Sequence, residues 1–201
     1  MMKVGLTGSI AVGKSYVCDV LRELGCHVLD ADLTSREVVK PSTKGLTQLV
    51  VAFGKDVLLA DGSLDRKRLG DIVFDDEEKR HTLNAIVHPL VIESQNNWIR
   101  DVEKQDSNGI AVVDAALMIE TGGYKRFDKL IVVWCKSALQ LKRLMLRDNL
   151  SQIDAQKRID AQMPQDEKKR FADYLIDTSD GFESTRDQTV DIVSQLRRMN
   201  T

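Results

Sequence analysis

The sequence predicts an α/β fold, in which a parallel sheet is covered by helices on both faces. Short apolar runs occupy residues 3–7, 110–113 and 130–135, and stretches with helical spacing of apolar residues separate them. Strands that are buried on both faces are continuous apolar runs, and their alternation with helices is typical of parallel sheets. The chain has no internal repeat, low-complexity tract or obvious linker.

Length and composition indicate an ordinary globular protein. The 201 residues are 42% hydrophobic and 30% charged, which is ordinary for a globular protein. The formal net charge is −2, so the chain as a whole lacks the excess of positive charge that is typical of nucleic-acid-binding proteins. No apolar run approaches the ~20 residues that span a bilayer. The opening MMKVGLTGS has too short an apolar segment for a secretory signal. We expect a cytoplasmic protein with three reduced cysteines and without nucleic-acid or membrane partners.

The order of the elements predicts one domain that carries two helical inserts. Strand, glycine loop, helix and second strand follow one another within the length of a βαβ unit at the N-terminus. A mainly helical block comes next, and a helical region rich in Arg and Lys precedes the last short strand, DYLID, and a closing amphipathic helix. We assign the core to about 1–32, 108–136 and 172–201, one insert to about 33–107 and a lid to about 137–171.

The segment GSIAVGKS, residues 8–15, matches the phosphate-binding loop pattern Gly-x-x-x-x-Gly-Lys-Ser. A polyphosphate is a dense anion, so the backbone curls around it with its N–H groups inward, and side chains at Gly8 or Gly13 would obstruct this curl. Lys14 can reach the β- and γ-phosphates, and the Ser15 hydroxyl can ligate Mg²⁺. A glycine turn with a solvent lysine is the alternative. The predicted nucleotide-binding residues of the loop are Gly8, Ser9, Ile10, Ala11, Val12, Gly13, Lys14, Ser15 and Tyr16.

Acidic residues follow the second and third predicted strands, at the sheet edge where α/β proteins bind ligands. Asp32 is the candidate general base, which would accept the proton of an acceptor hydroxyl as the γ-phosphoryl group arrives. Asp30 could orient Mg²⁺ through water or hold the turn. Asp114 could hold Mg²⁺ through water or form a strand-end turn. The structural alternative is that Asp30 or Asp32 caps a helix that begins near Leu33.

Positive charge for the transferred group is supplied by QLKRLMLRDNLS. Arg143 and Arg147 are four residues apart and share one helix face. Arginine binds phosphate bidentately, and a basic flap excludes water during the transfer. A solvated charged helix with Asp148 and Asp154 as partners is the alternative. No guanine-reading Asn/Thr-Lys-x-Asp segment follows residues 130–135, so the pattern favours a kinase over a GTPase switch.

These motifs resemble those of the dephospho-coenzyme A kinase family. The resemblance covers nearly the whole chain in order and spacing, and several of its segments are not general phosphate-loop features. The segments are VGLTGSIAVGKS, VLDADLTSREVV, DGSLDRKRLGDIVF, LNAIVHPLV, VVDAALMIE, QLKRLMLRD and RIDAQMPQDEKKRFADYLID. The resemblance implies an enzyme that uses ATP and Mg²⁺ to phosphorylate the ribose 3′-hydroxyl of dephospho-CoA.

The resemblance also implies roles for individual residues. It places the catalytic acid at Asp32, in agreement with the choice made from spacing. Arg147 would contact the γ-phosphate and Arg143 would bind the nucleotide. The insert at about 33–107 resembles the acceptor-binding domain, which would bring three residues toward the acceptor, namely Arg66, His88 and Pro89.

These three acceptor residues have structural alternatives. Pro89 suits the first position of a helix, with His88 donating to a carbonyl there. Arg66 follows Asp65, which is suited to capping a helix start, and is a solvent residue unless an acceptor phosphate lies close.

Three positions depart from the family pattern. Ala116 stands where the family often has proline, Thr178 where it commonly has asparagine near the adenine, and Tyr16 where it usually has threonine. None of them is the loop lysine, the loop serine or the candidate base.

Two other functions are compatible with a phosphate loop. One is another small-molecule kinase of this superfamily, such as a nucleoside or nucleotide kinase. The other is a nucleotide-binding regulator without catalysis, against which the intact Lys14, Ser15 and Asp32 argue. For the enzyme we expect a small-molecule acceptor as partner and a monomer or weak homo-oligomer.

Overall fold

A computed structural model describes residues 1–200, which form a five-stranded parallel sheet with helices packed on it. A helical block separates the second and third strands. In chain order the elements are β1 (Met2–Gly8), α1 (Lys14–Glu23), β2 (His27–Asp30), α2 (Ala31–Glu37), α3 (Lys44–Phe53), α4 (Arg66–Phe74), α5 (Glu77–Gln105), β3 (Ile110–Asp114), β4 (Lys129–Trp134), α6 (Ser137–Asp148), α7 (Gln152–Asp160), α8 (Gln165–Lys169), β5 (Tyr174–Asp177) and α9 (Gly181–Met199).

The strands lie in the order β2-β3-β1-β4-β5, and every neighbouring pair is parallel. Every residue of β3 is buried, as expected for a strand covered on both faces. The predicted α/β fold with a parallel sheet is therefore confirmed. The register sets Leu6 of β1 opposite Asp114 of β3, and Gly8 of β1 opposite Val133 of β4.

The chain divides into two compact units, of which the first contains the sheet. This unit comprises Met1–Asp30 and the chain from Asp101 onward. Helices α1 and α9 pack on each other beside the sheet because each presents an apolar face. Their shared core contains the fully buried side chains Leu6, Leu21, Ile131, Ile176 and Leu196.

The second unit, Ala31–Arg100, contains α2, α3, α4 and most of α5. It has its own small core, in which Leu49, Val57 and Leu69 are buried. The Thr43 hydroxyl caps α3 and the Asp65 carboxylate caps α4, each by accepting a backbone N–H. The functions assigned to the insert and to the lid stay predictions.

Two local interpretations of the sequence are wrong. Helix α2 begins at Ala31 rather than near Leu33, so Asp32 lies in the first helical turn and is not a cap. Pro89 lies inside α5 rather than at the start of a helix. The apolar spacing on both sides of Pro89 lets one helix continue through it although proline lacks a backbone donor. Among residues 1–200, no helix has both the length and the apolar character to cross a membrane.

A buried lysine connects α8 to the segment that follows β3. The side chain of Lys168 is fully buried. Its Nζ lies 2.8 Å from Glu120 Oε1 and donates to the carbonyl of Ala116 at 3.0 Å. A buried ammonium group is tolerated only when it is paired, so these two contacts fix α8 against the segment.

We expect Lys168→Met to lower the free energy of unfolding by about 1–2 kcal/mol, because the Glu120 carboxylate and the Ala116 carbonyl each lose a hydrogen-bond donor. Urea denaturation of the intact chain measures this change. The matched control is Lys157→Met at an exposed position of α7, which should change the free energy by less than about 0.5 kcal/mol. Equal stability of the two variants would contradict the role assigned to Lys168.

Candidate active site

The phosphate-binding loop lies between β1 and α1, at the carboxyl edge of the sheet. A Cβ atom at Gly8 would lie 2.6 Å from the carbonyl oxygen of Val133, so only glycine fits against β4. Gly13 precedes α1 with a φ of 91°, in the left-handed region that favours glycine. The strand-loop-helix context that the pattern requires is therefore present.

Lys14 contacts the acid at the end of the neighbouring strand. Its Nζ forms an ion pair with Asp114 Oδ1, and both side chains are largely buried. Asp114 Oδ2 lies 3.3 Å from Cys18 Sγ. Burial and the neighbouring Asp114 charge raise the pKa of the Cys18 thiol to about 12, so the thiol stays protonated and donates to the carboxylate. One carboxylate thus holds both the loop lysine and a thiol of α1.

The other predicted acids and the loop serine lie at the ends of strands or the starts of helices. Asp30 is the last residue of β2 and is in register with Asp114. Asp32, in the first turn of α2, belongs to the second unit, and its backbone carbonyl accepts from Ser35 Oγ at 2.8 Å. Ser15 is exposed in the first turn of α1, where its hydroxyl is accessible to a ligand.

Arg143 is held beside the loop by Thr178. The Thr178 hydroxyl accepts from Arg143 at 2.8 Å and donates to the carbonyl of Val12 at 2.6 Å. The Thr178 carbonyl accepts a second Arg143 donor at 2.9 Å. These contacts connect α6, the end of β5 and the loop, so the guanidinium of Arg143 has a fixed position near Gly13.

Arg147 lies one turn further along α6 and is bound to an acid of the same helix. Its Nε and Nη2 contact the two carboxylate oxygens of Asp148 at 2.7 and 3.1 Å. These hydrogen bonds, which Arg147 donates to Asp148, raise the pKa of Arg147 and lower the pKa of Asp148. Arg158 also contacts Asp148, whereas the Asp154 carboxylate accepts from the Ser151 hydroxyl instead. Of the two predicted acidic partners, only Asp148 is therefore used by an arginine.

The three residues expected near the acceptor all lie in the second unit. Arg66 opens α4 and donates to the carbonyl of Arg36 at 3.3 Å. His88 and Pro89 are exposed side chains in α5. Tyr16, in the first unit, packs on Phe182 with ring centroids 4.7 Å apart, and its hydroxyl donates to the Phe182 carbonyl. The aromatic ring at position 16 therefore contacts the start of α9.

Sequence reasoning missed two side chains that contact the loop. Gln162 Oε1 accepts from the backbone N–H of Ile10, and Gln140 Nε2 donates to the carbonyl of the same residue. A single glutamine does not form a recognisable sequence motif, because its role depends on which backbone group the fold places beside it. The quoted segments QLKRLMLRD and RIDAQMPQDEKKRFADYLID contain both residues.

The chain is similar to known proteins of one family. The family model described as Dephospho-CoA kinase matches residues 2–184. The chain is 40% identical to a Dephospho-CoA kinase of Listeria monocytogenes serotype 4b over 96% of each chain, and 43% identical to that of Shouchella clausii over 96% of this chain and 98% of the other. A solved Dephospho-CoA kinase from Campylobacter jejuni superposes with a TM-score of 0.75 at 29% identity, covering 99% of this chain and 98% of the other. The chain therefore belongs to the dephospho-CoA kinase family.

Proposed function

We propose that this protein transfers the γ-phosphoryl group of ATP to the 3′-hydroxyl of the ribose of dephospho-CoA and so produces coenzyme A. The observation that carries the proposal is the contact of Lys14 with Asp114 beside a phosphate loop, in a chain that belongs to this kinase family. We also infer a cytoplasmic enzyme that acts as a monomer or weak homo-oligomer.

The loop and its lysine bind the donor. The loop N–H groups and Lys14 hold the β- and γ-phosphates, since the start of α1 adds a positive dipole end. ATP phosphates compete with Asp114 for the ammonium of Lys14, and the exchange frees an Asp114 oxygen. Arg143, fixed by Thr178, contacts the nucleotide. The donor site thus uses residues that are already in position.

The residues present fit Mg²⁺, which takes one or two protein oxygens together with substrate phosphates and water. The accessible Ser15 hydroxyl would bind the ion, and Asp114 would hold it through water. When bound, Mg²⁺ neutralises charge on the phosphates. Asp114 therefore has two partners at different stages, first Lys14 and then the hydrated ion.

Asp32 accepts the proton of the ribose hydroxyl, and Arg147 stabilises charge on the transferred group. Asp32 follows the last residue of β2 by two positions in the chain. Arg147 is half-exposed and is held by Asp148 through hydrogen bonds that a more highly charged phosphate can replace. The second unit binds the acceptor, with Arg66, His88 and Pro89 as contact residues.

An assay with ATP, Mg²⁺ and a panel of acceptors tests the function. We expect phosphorylation of dephospho-CoA, and no phosphorylation of coenzyme A, whose 3′-position is already substituted. Mass spectrometry of the product locates the new phosphate. Phosphorylation of nucleosides or nucleotides without phosphorylation of dephospho-CoA would support another small-molecule kinase. ATP binding without any product would support a regulator.

Asp32→Asn should lower kcat by roughly 10²–10⁴-fold, which is the usual contribution of a positioned general base. Binding of ATP should change little, because the amide keeps the size of the side chain and the loop is intact. Steady-state kinetics and calorimetric titration with ATP measure the two effects. The control is Asp101→Asn at an exposed position of α5, with kcat unchanged. Near-normal turnover of Asp32→Asn would remove Asp32 from the mechanism.

Arg147→Met should lower kcat about 100-fold, since one donor to the charge of the transition state is lost. The Kd for ATP should rise less than kcat falls, because Arg143 and the loop still hold the nucleotide. Lys142→Met removes an exposed positive charge from the same helix and provides the matched control. If both variants lose activity equally, the effect belongs to the general charge of α6 and not to Arg147.

A further inference from the structure

One residue of the phosphate-binding loop has an unfavourable backbone conformation. Ala11 has a φ of 60°, in the left-handed region, although it carries a Cβ atom. Such a conformation costs free energy for a residue other than glycine, and it persists only where surrounding contacts hold the backbone in place. Contacts to the neighbouring residues must therefore hold the loop backbone at Ala11.

The preceding residue, Ile10, is held from both sides by glutamine side chains. Its N–H donates to Gln162 Oε1 at 2.8 Å, and its carbonyl accepts from Gln140 Nε2 at 2.9 Å. The two bonds fix the peptide planes before and after Ile10, and the second of these planes leads directly into Ala11. Gln140 is 1% exposed, so its side chain is shielded from water.

A chain of amide hydrogen bonds fixes the orientation of Gln140. The backbone N–H of Cys135, just after β4, donates to Gln165 Oε1 at 3.0 Å. Gln165 Nε2 then donates to Gln140 Oε1 at 2.7 Å. Because a backbone N–H can only donate, each amide must turn its oxygen toward Cys135 and its nitrogen toward the loop. The end of β4 thus determines which atom of Gln140 meets Ile10.

We propose that Gln140 and Gln162 are positioning residues for phosphate binding. They hold Ile10 so that Ala11 keeps its left-handed backbone and the loop N–H groups stay directed at the donor phosphates. Both lie in the segment 137–171, so this segment contributes to the loop before any arginine contacts the nucleotide. The proposal rests on the proposed function only in that the loop binds ATP.

Calorimetric titration with ATP and Mg²⁺ in the absence of acceptor tests the proposal. Gln140→Leu and Gln162→Leu should each raise the Kd for ATP about tenfold, because a loop peptide group loses its partner. In steady-state kinetics the KM for dephospho-CoA should stay within twofold. The matched control is Gln156→Leu, whose exposed amide donates to Asp160 of the same helix and whose loss should leave ATP binding unchanged.

A double-variant cycle with Ala11→Gly separates this role from a general loss of stability. Glycine adopts the left-handed backbone without strain, so in the Ala11→Gly protein each glutamine substitution should weaken ATP binding less than threefold. A tenfold effect in both backgrounds would overturn the proposal. Should Gln140→Leu fail to fold, Gln162→Leu supplies the same comparison. Because binding needs no acceptor, a wrong acceptor assignment leaves the test intact.

Discussion

The close approach of β1 to β4 at Gly8 is the constraint on which the site depends. No side chain fits there, because a Cβ atom would collide with the carbonyl oxygen of Val133. Parallel pairing on both sides of β1 then sets Leu6 level with Asp114 and makes every strand end at the same edge. The loop consequently begins beside the acid of β3, within reach of Lys14. A shift in register would separate the lysine from this acid.

The ion pair between Lys14 and Asp114 then organises the free site. A largely buried ammonium group without a partner would be costly, and Asp114 supplies that partner to Lys14. The protonated thiol of Cys18 occupies the second oxygen of Asp114 and limits its rotation. In the proposed mechanism, donor binding is an exchange of partners around Lys14.

Sequence alone predicted what depends on local pattern. The apolar runs specified the parallel sheet, and the loop pattern placed Gly8, Gly13 and Lys14 between a strand and a helix. Helix boundaries were less predictable, because apolar spacing let α5 run through Pro89 and α2 begin two residues early. The glutamine contacts to Ile10 could not be predicted, since they join segments about 130 and 150 residues apart. The roles of Asp32, Arg66, Arg143 and Arg147 remain predictions.

Two positions at which the chain departs from the expected family residues are held by several hydrogen bonds. Where the family often has proline, the carbonyl of Ala116 accepts from Thr7 Oγ1 at 3.2 Å and from Lys168 at 3.0 Å. Two hydrogen bonds to the Ala116 carbonyl restrain the backbone at the bend after β3. A proline ring would restrain the same bend differently, by fixing φ. Thr178 likewise uses one hydroxyl as donor to the loop and acceptor for Arg143. The geometry near Asp114 and Arg143 is therefore maintained by hydrogen bonds that join distant segments of the chain.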